Sequence, residues 1–391
     1  MKRNDLLTPE GTRDVLFEEC AAKRTVLERI TNLFESYGYS EVITPGLEFY
    51  DVFNGKVRYF PQETMYKLVD GKNRLMVLRP DSTLPIARLA ATRLRQEELP
   101  LKLFYNQNIF VVNPKDSGRD DEIAQSGIEI LGGERGAADY EALVLAAKAL
   151  AACDDNFRLE IGDSGIFREF ISQYDCDVDE PENIRRAIEI KDYPALEKSG
   201  APVALKALPR LFGGMEVFNE AKKYLGGKAL EKKLARLKKL CEDLSCIVPP
   251  EKIRVDLGLV HKKDYYTGLI FRGYVEGYGL PVLSGGRYDT LLGDFGREAA
   301  AVGFAVNVEA AAKVFLKKNK DQLIRSPGVL VFGEKGAEVA ALKHCEKLIS
   351  EGSTVYNFPG DSAEQAKQYA KSHNIRRIDF VSGEKVTTEE V

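Results

Sequence analysis

The chain has 391 residues, with 56 Lys and Arg against 60 Asp and Glu, a net charge of −4 and 44% hydrophobic residues. That length supports more than one hydrophobic core, and the composition is that of a globular protein rather than a disordered or fibrous one. The slightly acidic balance, with a sequence pI near 5.8, argues against gripping a nucleic-acid backbone as the main task.

In chain order, residues 15–37 place Leu16, Leu27, Ile30, Leu33, Phe34 and Tyr37 at spacings of three and four, which predicts a helix with one buried stripe, ended by Gly38. A short strand is expected at Glu41-Val42-Ile43, halted by Thr44-Pro45. Strand-like runs follow at Leu75 to Leu78, Leu101 to Val112 and Gly127 to Leu131, then an Ala- and Leu-rich helix over 139–152 and a strand at Phe157 to Ile161. Residues 172–250 change character: charged helical stretches and prolines at 181, 194, 202 and 209 predict a helical insertion. Strands resume at Ile253 to Leu257, Tyr266 to Val275, Pro281 to Leu283 and Val302 to Val308. Mostly antiparallel strands with helices around them define an α+β class. The charged run Lys317 to Asp321 is read as a linker, giving a core of residues 1–325 and a second domain over 326–391. In that second domain Val329 to Phe332, Thr354 to Phe358 and Ile378 to Val381 alternate with two helical runs, the order of a small parallel sheet.

The Met1 to Asp5 start leads into no apolar signal segment, and no apolar stretch approaches a membrane span, so a cytoplasmic location is expected. Six scattered cysteines form no C-x-x-C pair and read as free thiols. With only His261, His344 and His373 as histidines, neither a metal site nor a cofactor is expected. Gly162-Asp163-Ser164-Gly165 has the form of a nucleophilic-serine signature, but no histidine stands in a base context, so it reads as a turn after a strand. No phosphate-binding loop and no dinucleotide fingerprint occurs.

Five stretches together carry a family resemblance. They are Pro9 to Asp14, Gly38 to Glu48, Leu78-Arg79-Pro80-Asp81-Ser82-Thr83, Leu259 to Gly268, and Ser284-Gly285-Gly286-Arg287-Tyr288-Asp289 followed by Ala301 to Ala305. In this order they resemble the motifs of histidyl-tRNA synthetases, over residues 6–315 and part of the tail. The resemblance implies a class II aminoacyl-tRNA synthetase-like antiparallel sheet flanked by helices, dimerising through the Gly38 to Glu48 region. It also implies an amino-acid pocket in which Asp81, Thr83 and Gln125 hold the α-ammonium and Glu129, Tyr265 and Tyr266 meet an imidazole. Such groups suit the ligand: an ammonium needs acceptors, and each imidazole nitrogen needs a partner. Asp81 stands where the family has Glu, one methylene longer.

The departures concern the cations. Where the family places arginines that clamp the anionic adenylation transition state, this chain has Val111, Asp121, His261 and Ala310, while Arg119 is kept. Losing one such donor typically costs on the order of 10²–10³ in rate, so four losses predict no useful aminoacylation. The last segment resembles the family's anticodon-binding domain, is expected to lack its final helix, and shows no aromatic and basic surface for unstacked bases. A synthetase-like chain with an amino-acid pocket and no catalytic set is similar to the regulatory subunits of ATP phosphoribosyltransferase. That resemblance implies a non-catalytic partner of the short-form catalytic subunit, which joins ATP to phosphoribosyl pyrophosphate in the first step of histidine biosynthesis. L-histidine would be the inhibitory ligand, and a homodimer would sit within a hetero-oligomer. A working synthetase and a tRNA-sensing module are the alternatives; the lost arginines oppose the first, the acidic balance and short tail the second.

Overall fold

A computed structural model describes residues 6–54, 60–114, 118–133, 135–172, 174, 180–260, 265–323 and 327–391. The chain divides into two compact units, Met1–Lys318 and Asn319–Val391.

In the first unit the strands, in chain order, are β1 (Ser40–Glu41), β2 (Leu47–Phe49), β3 (Lys67–Val69), β4 (Leu75–Leu78), β5 (Leu101–Phe110), β6 (Glu122–Leu131), β7 (Phe157–Asp163), β8 (Phe212–Gly213), β9 (Ile253–Asp256), β10 (Leu269–Val275), β11 (Leu283–Arg287) and β12 (Ala301–Asn307). Nine of them make one sheet in the order β1-β5-β6-β12-β11-β10-β7-β9-β8, and β2-β4-β3 make a small one. Only β1 with β5 and β7 with β9 run parallel in the large sheet, so the α+β expectation holds. β6 starts five residues before the expected Gly127, because Glu122 to Ser126 find partners along the whole length of β5. The strand expected at Pro281 to Leu283 begins only at Leu283, where pairing with β10 and β12 starts.

The helices of this unit are α1 (Phe17–Ser36), α2 (Asp51–Asn54), α3 (Thr83–Ala91), α4 (Ala137–Cys153), α5 (Ser164–Ile171), then α6 to α10 within 180–244, α11 (Leu291–Asp294) and α12 (Val308–Leu323). Helix α1 buries Ala22, Val26, Ile30 and Phe34, and the Phe34 ring meets Tyr39, Phe104 and Phe304 at centroid distances of 5.8–6.3 Å. Phe104, Ile128 and Phe304 lie on one row of the sheet and belong to its helix-covered side. The next row carries Leu103, Glu129, Gly303, Gly286, Ile270 and Gly162, and by strand alternation faces the opposite way. That opposite side carries the candidate site.

Among its described residues the 172–250 segment forms α6 to α10, the last being α10 (Lys228–Leu244), whose Leu230, Leu234, Leu237, Cys241 and Leu244 are buried. It also contributes β8, which pairs antiparallel with β9. The charged run Lys317 to Asp321 lies inside α12, which is kinked at Asn319 (φ −123°, ψ 21°), and the division between the two units falls within it. A lysine-rich run is compatible with helix on an exposed surface, and it carried no breaker to say where the kink falls.

In the second unit β13 (Val329–Gly333), β14 (Val355–Asn357) and β15 (Arg377–Ser382) run parallel in the order β14-β13-β15, with α13 (Glu338–Ser350) and α14 (Ala363–Ser372) as crossovers. A further strand, β16 (Lys385–Glu390), pairs antiparallel with β15 and was not foreseen. All six of its residues are exposed, so it offers no apolar alternation to read.

Candidate functional site

The side of the large sheet that carries Glu129 is floored by glycines where side chains must come close. A Cβ on Gly127 would fall 2.6 Å from the Tyr105 hydroxyl, one on Gly286 would fall 2.6 Å from the Tyr266 ring, and one on Gly303 would overlap the Glu129 carboxylate. Removing three Cβ atoms lets a carboxylate and two tyrosines lie flat against the backbone.

Glu129 is almost fully buried at 1% exposure, which demands compensation for its charge. Thr83 Oγ1 donates to its Oε1 at 2.8 Å, and the Tyr288 hydroxyl donates to its Oε2. Asp81, also buried, accepts the backbone N–H of Thr83 at 2.8 Å and of Leu84 at 3.4 Å through Oδ1, so it closes the start of α3. Its Oδ2 lies 3.5 Å from the Tyr265 hydroxyl. The Tyr265 ring packs at 4.8 Å from Tyr266 and edge-on at 5.9 Å to Tyr288. Burial first, and then the carboxylates of Glu129 and Asp81, push the Tyr105 and Tyr265 phenols far above their ordinary value; burial and Glu129 do the same for Tyr288. All three stay neutral, as hydrogen-bond donors.

Of the six residues expected in the pocket, Asp81, Thr83, Glu129, Tyr265 and Tyr266 gather here. Gln125 is four residues before Glu129 on β6, on the same side of the sheet and roughly 13 Å along the strand. Its half-buried side-chain amide makes no hydrogen bond to the described residues. Tyr105 and Tyr288 were missed. Tyr288 stood in the quoted Ser284 to Asp289 stretch, and Tyr105 alternates with Leu103 on β5, opposite Gly127.

Farther along the same side, a cleft of about 600 Å³ is lined by Val111, Asn113, Arg119, Arg272, Asn307 and Ala310 among others. Asp121 is 8% exposed and accepts from the Tyr66 hydroxyl at 2.6 Å and from the Asn113 N–H at 3.0 Å. Its backbone N–H donates to the Gly11 carbonyl at 2.6 Å, and Gly11, at φ +76°, leaves no space for a Cβ against the Asp121 carboxyl. The carboxylate hydrogen bond, helped by burial, pushes Tyr66 up to about 12. Glu309 accepts the Ala124 N–H at 2.7 Å and pairs with Lys23 at 2.7 Å, while Ala310 is buried with its N–H on Asn307 Oδ1. His261 lies outside the described residues, as does Cys176. Among the described residues no three His, Cys, Asp or Glu side chains group to hold a metal.

Comparison with known proteins agrees with this layout. The family profile of Histidyl-tRNA synthetase matches residues 11–311. Over nearly the whole length, the chain is 38% identical to the ATP phosphoribosyltransferase regulatory subunit of Clostridium kluyveri, covering 94% of this chain and 97% of that protein. It is likewise 38% identical to the regulatory subunit of Bacillus cereus, covering 95% and 90%. A crystal structure from Bacillus halodurans C, described as an ATP phosphoribosyltransferase regulatory subunit/histidyl-tRNA synthetase, superposes with TM-score 0.83 at 28% identity, covering 98% of this chain and 100% of that one. Histidyl-tRNA synthetase from Nostoc sp. PCC 7120 shares the fold at TM-score 0.75 and 20% identity, covering 98% and 94%. The chain therefore belongs to the histidyl-tRNA synthetase family, and within it to the ATP phosphoribosyltransferase regulatory subunits.

Proposed function

We propose that the chain is a non-catalytic subunit that activates the short-form ATP phosphoribosyltransferase catalytic subunit and makes it sensitive to L-histidine. The observation that carries this reading is the contrast on one sheet face. A buried Glu129 with Thr83, Tyr288 and Tyr265 offers polar partners for a histidine side chain. The neighbouring cleft is lined by Val111 and Ala310, with Asp121 buried beside it, where a synthetase needs guanidinium groups. An adenylating site depends on preorganised positive charge, so aminoacylation is lost while amino-acid recognition is kept.

Asp81 and Gln125 are the acceptors assigned to the α-ammonium, with Glu129 and the tyrosines assigned to the imidazole. Self-association through the small sheet completes the proposal. Pairings Leu47–Leu78, Phe49–Met76 and Leu68–Met76 put five apolar side chains on one side, with Leu47, Phe49 and Leu68 each more than 40% exposed. An apolar strip of this kind marks an interaction surface, and its start at Leu47, at the end of the Gly38 to Glu48 region, suits a second copy of the chain.

Histidine can regulate only by binding the active and inhibited assemblies with different affinity. The test is reconstitution: short-form catalytic subunit alone, with this chain, and with this chain plus histidine, followed by phosphoribosyl transfer to ATP. The proposal expects activity to rise on adding the chain and to fall again with histidine. Activity indifferent to the chain would overturn it.

A further inference from the structure

The Gly162 to Gly165 stretch is not an idle turn. Asp163 ends β7 and caps α5, its Oδ1 accepting the Gly165 N–H at 2.8 Å. Ser164, the first residue of that helix, donates its N–H to the Gly268 carbonyl at 2.9 Å, and its hydroxyl lies 3.1 Å from the same carbonyl and 3.3 Å from that of Tyr266. One turn on, Arg168 donates through Nη2 to the Tyr266 carbonyl and, at 2.9 Å, to Ser164 Oγ. The backbone that presents Tyr265 and Tyr266 to the pocket is thus held by the first turn of the helix leading into the 172–250 segment.

A second tether reaches the same backbone from the other end of that segment. Arg236 of α10 pairs with Asp139 at 2.9 Å, and Asp139, 1% exposed, also holds the fully buried Arg287 at 2.6 Å. The Arg287 carbonyl accepts the Thr267 N–H at 2.6 Å, and the Thr267 hydroxyl accepts the Asp289 N–H at 3.0 Å. Between Arg287 and Asp289 stands Tyr288, the donor to Glu129. Two helices that bracket the insertion, α5 and α10, are therefore each bonded within a few atoms of the residues that would touch a ligand.

We propose that Ser164 and Arg168 are positioning residues for the amino-acid pocket, and that through them the helical insertion senses whether the pocket is filled. The sensing role rests on the histidine-pocket reading above; the positioning role does not. A ligand that fixes Tyr265 and Tyr266 favours one arrangement of the 265–268 backbone, and every bond from α5 to that backbone passes the preference on. Arg168 is exposed, so its replacement leaves no cavity and tests the tether rather than the core.

Hydrogen exchange of the full-length chain is the measurement, comparing wild type, Arg168→Met and Arg168→Lys with and without histidine. Without ligand, Arg168→Met should speed exchange at the Thr267 amide by about threefold to tenfold, the scale of one charge-assisted hydrogen bond, with Arg168→Lys in between. With histidine, the wild type should gain protection both at 265–268 and along α5, and Arg168→Met at 265–268 alone. Unchanged ligand-free exchange in Arg168→Met would overturn the positioning role, and α5 protection surviving in that variant would overturn the sensing role. If histidine protects nothing in the wild type, the pocket reading falls and sensing with it, while the ligand-free comparison still decides positioning.

Discussion

The two ends of one sheet face, the proposed amino-acid pocket around Glu129 and the cleft beside Asp121, are built on the same strands, yet their carboxylates do different work. In the first, Glu129 is buried over Gly303 and accepts from the Thr83 and Tyr288 hydroxyls, both of which belong to the proposed pocket. In the second, Asp121 and Glu309 are fully engaged by the protein itself: Tyr66 and Asn113 on one, Lys23 and the Ala124 N–H on the other. The difference teaches that Asp121, where the family resemblance expects an arginine, is an acceptor built into the fold beside Gly11, so placing a cation there breaks structure before it could supply chemistry.

Asp121→Arg is the harshest way to test that contrast. It removes the acceptor for Tyr66 and Asn113 and forces a guanidinium against Gly11, and should lower unfolding free energy by about 3 kcal/mol in a denaturant titration. An unaltered denaturation midpoint would mean that Asp121 is a passive replacement. Glu129→Gln keeps the shape of the other half and removes its charge. Histidine affinity by calorimetry should drop roughly 10- to 100-fold, the scale of one hydrogen bond to a charged acceptor, with the fold retained. Equal affinity in wild type and variant would take Glu129 out of the site.

The smallest effect concerns Tyr66. Its neutral phenol donates to Asp121, and its folded value of about 12 stands above the ordinary 10.0. A raised value means the folded chain holds this proton more tightly than the unfolded one. The resulting stability is fully present below about pH 10 and is lost as pH climbs toward 12. Ultraviolet titration of tyrosinate should show two phenols, Tyr66 and Tyr140, ionising near pH 12 in the wild type and only one in Tyr66→Phe; a variant that keeps the full amplitude near pH 12 would dissolve the Tyr66–Asp121 bond.

Much of this was legible in the sequence where local pattern and burial agree. The Leu75 to Leu78 run is β4 to the residue; of the expected α1 stripe only Ile30 and Phe34 are buried, with Ala22 and Val26 completing it, while Leu16 precedes the helix and is exposed. The pocket set was legible through motifs, because Asp81, Thr83, Tyr265 and Tyr266 sit in contiguous stretches. Tyr105 and Tyr288 were not, since their roles arise from contacts made across the sheet, 159 positions apart for Tyr288 and Glu129. The Gly162 to Gly165 stretch gave its turn but not its purpose, because Ser164 and Gly268 meet only after β7 and β10 pair. Strand β16 is exposed throughout and rests on backbone pairing with β15, which no side-chain period announces.

The central claim, one half kept and one half given up, is met most directly by a thermal-shift titration of the full chain with histidine, with ATP and magnesium, and with both together. A ligand that binds only the folded state raises the melting temperature in proportion to its occupancy and affinity. The account predicts a shift with histidine that ATP leaves unchanged. Strong synergy between histidine and ATP would contradict it, because only a working nucleotide half can couple the two.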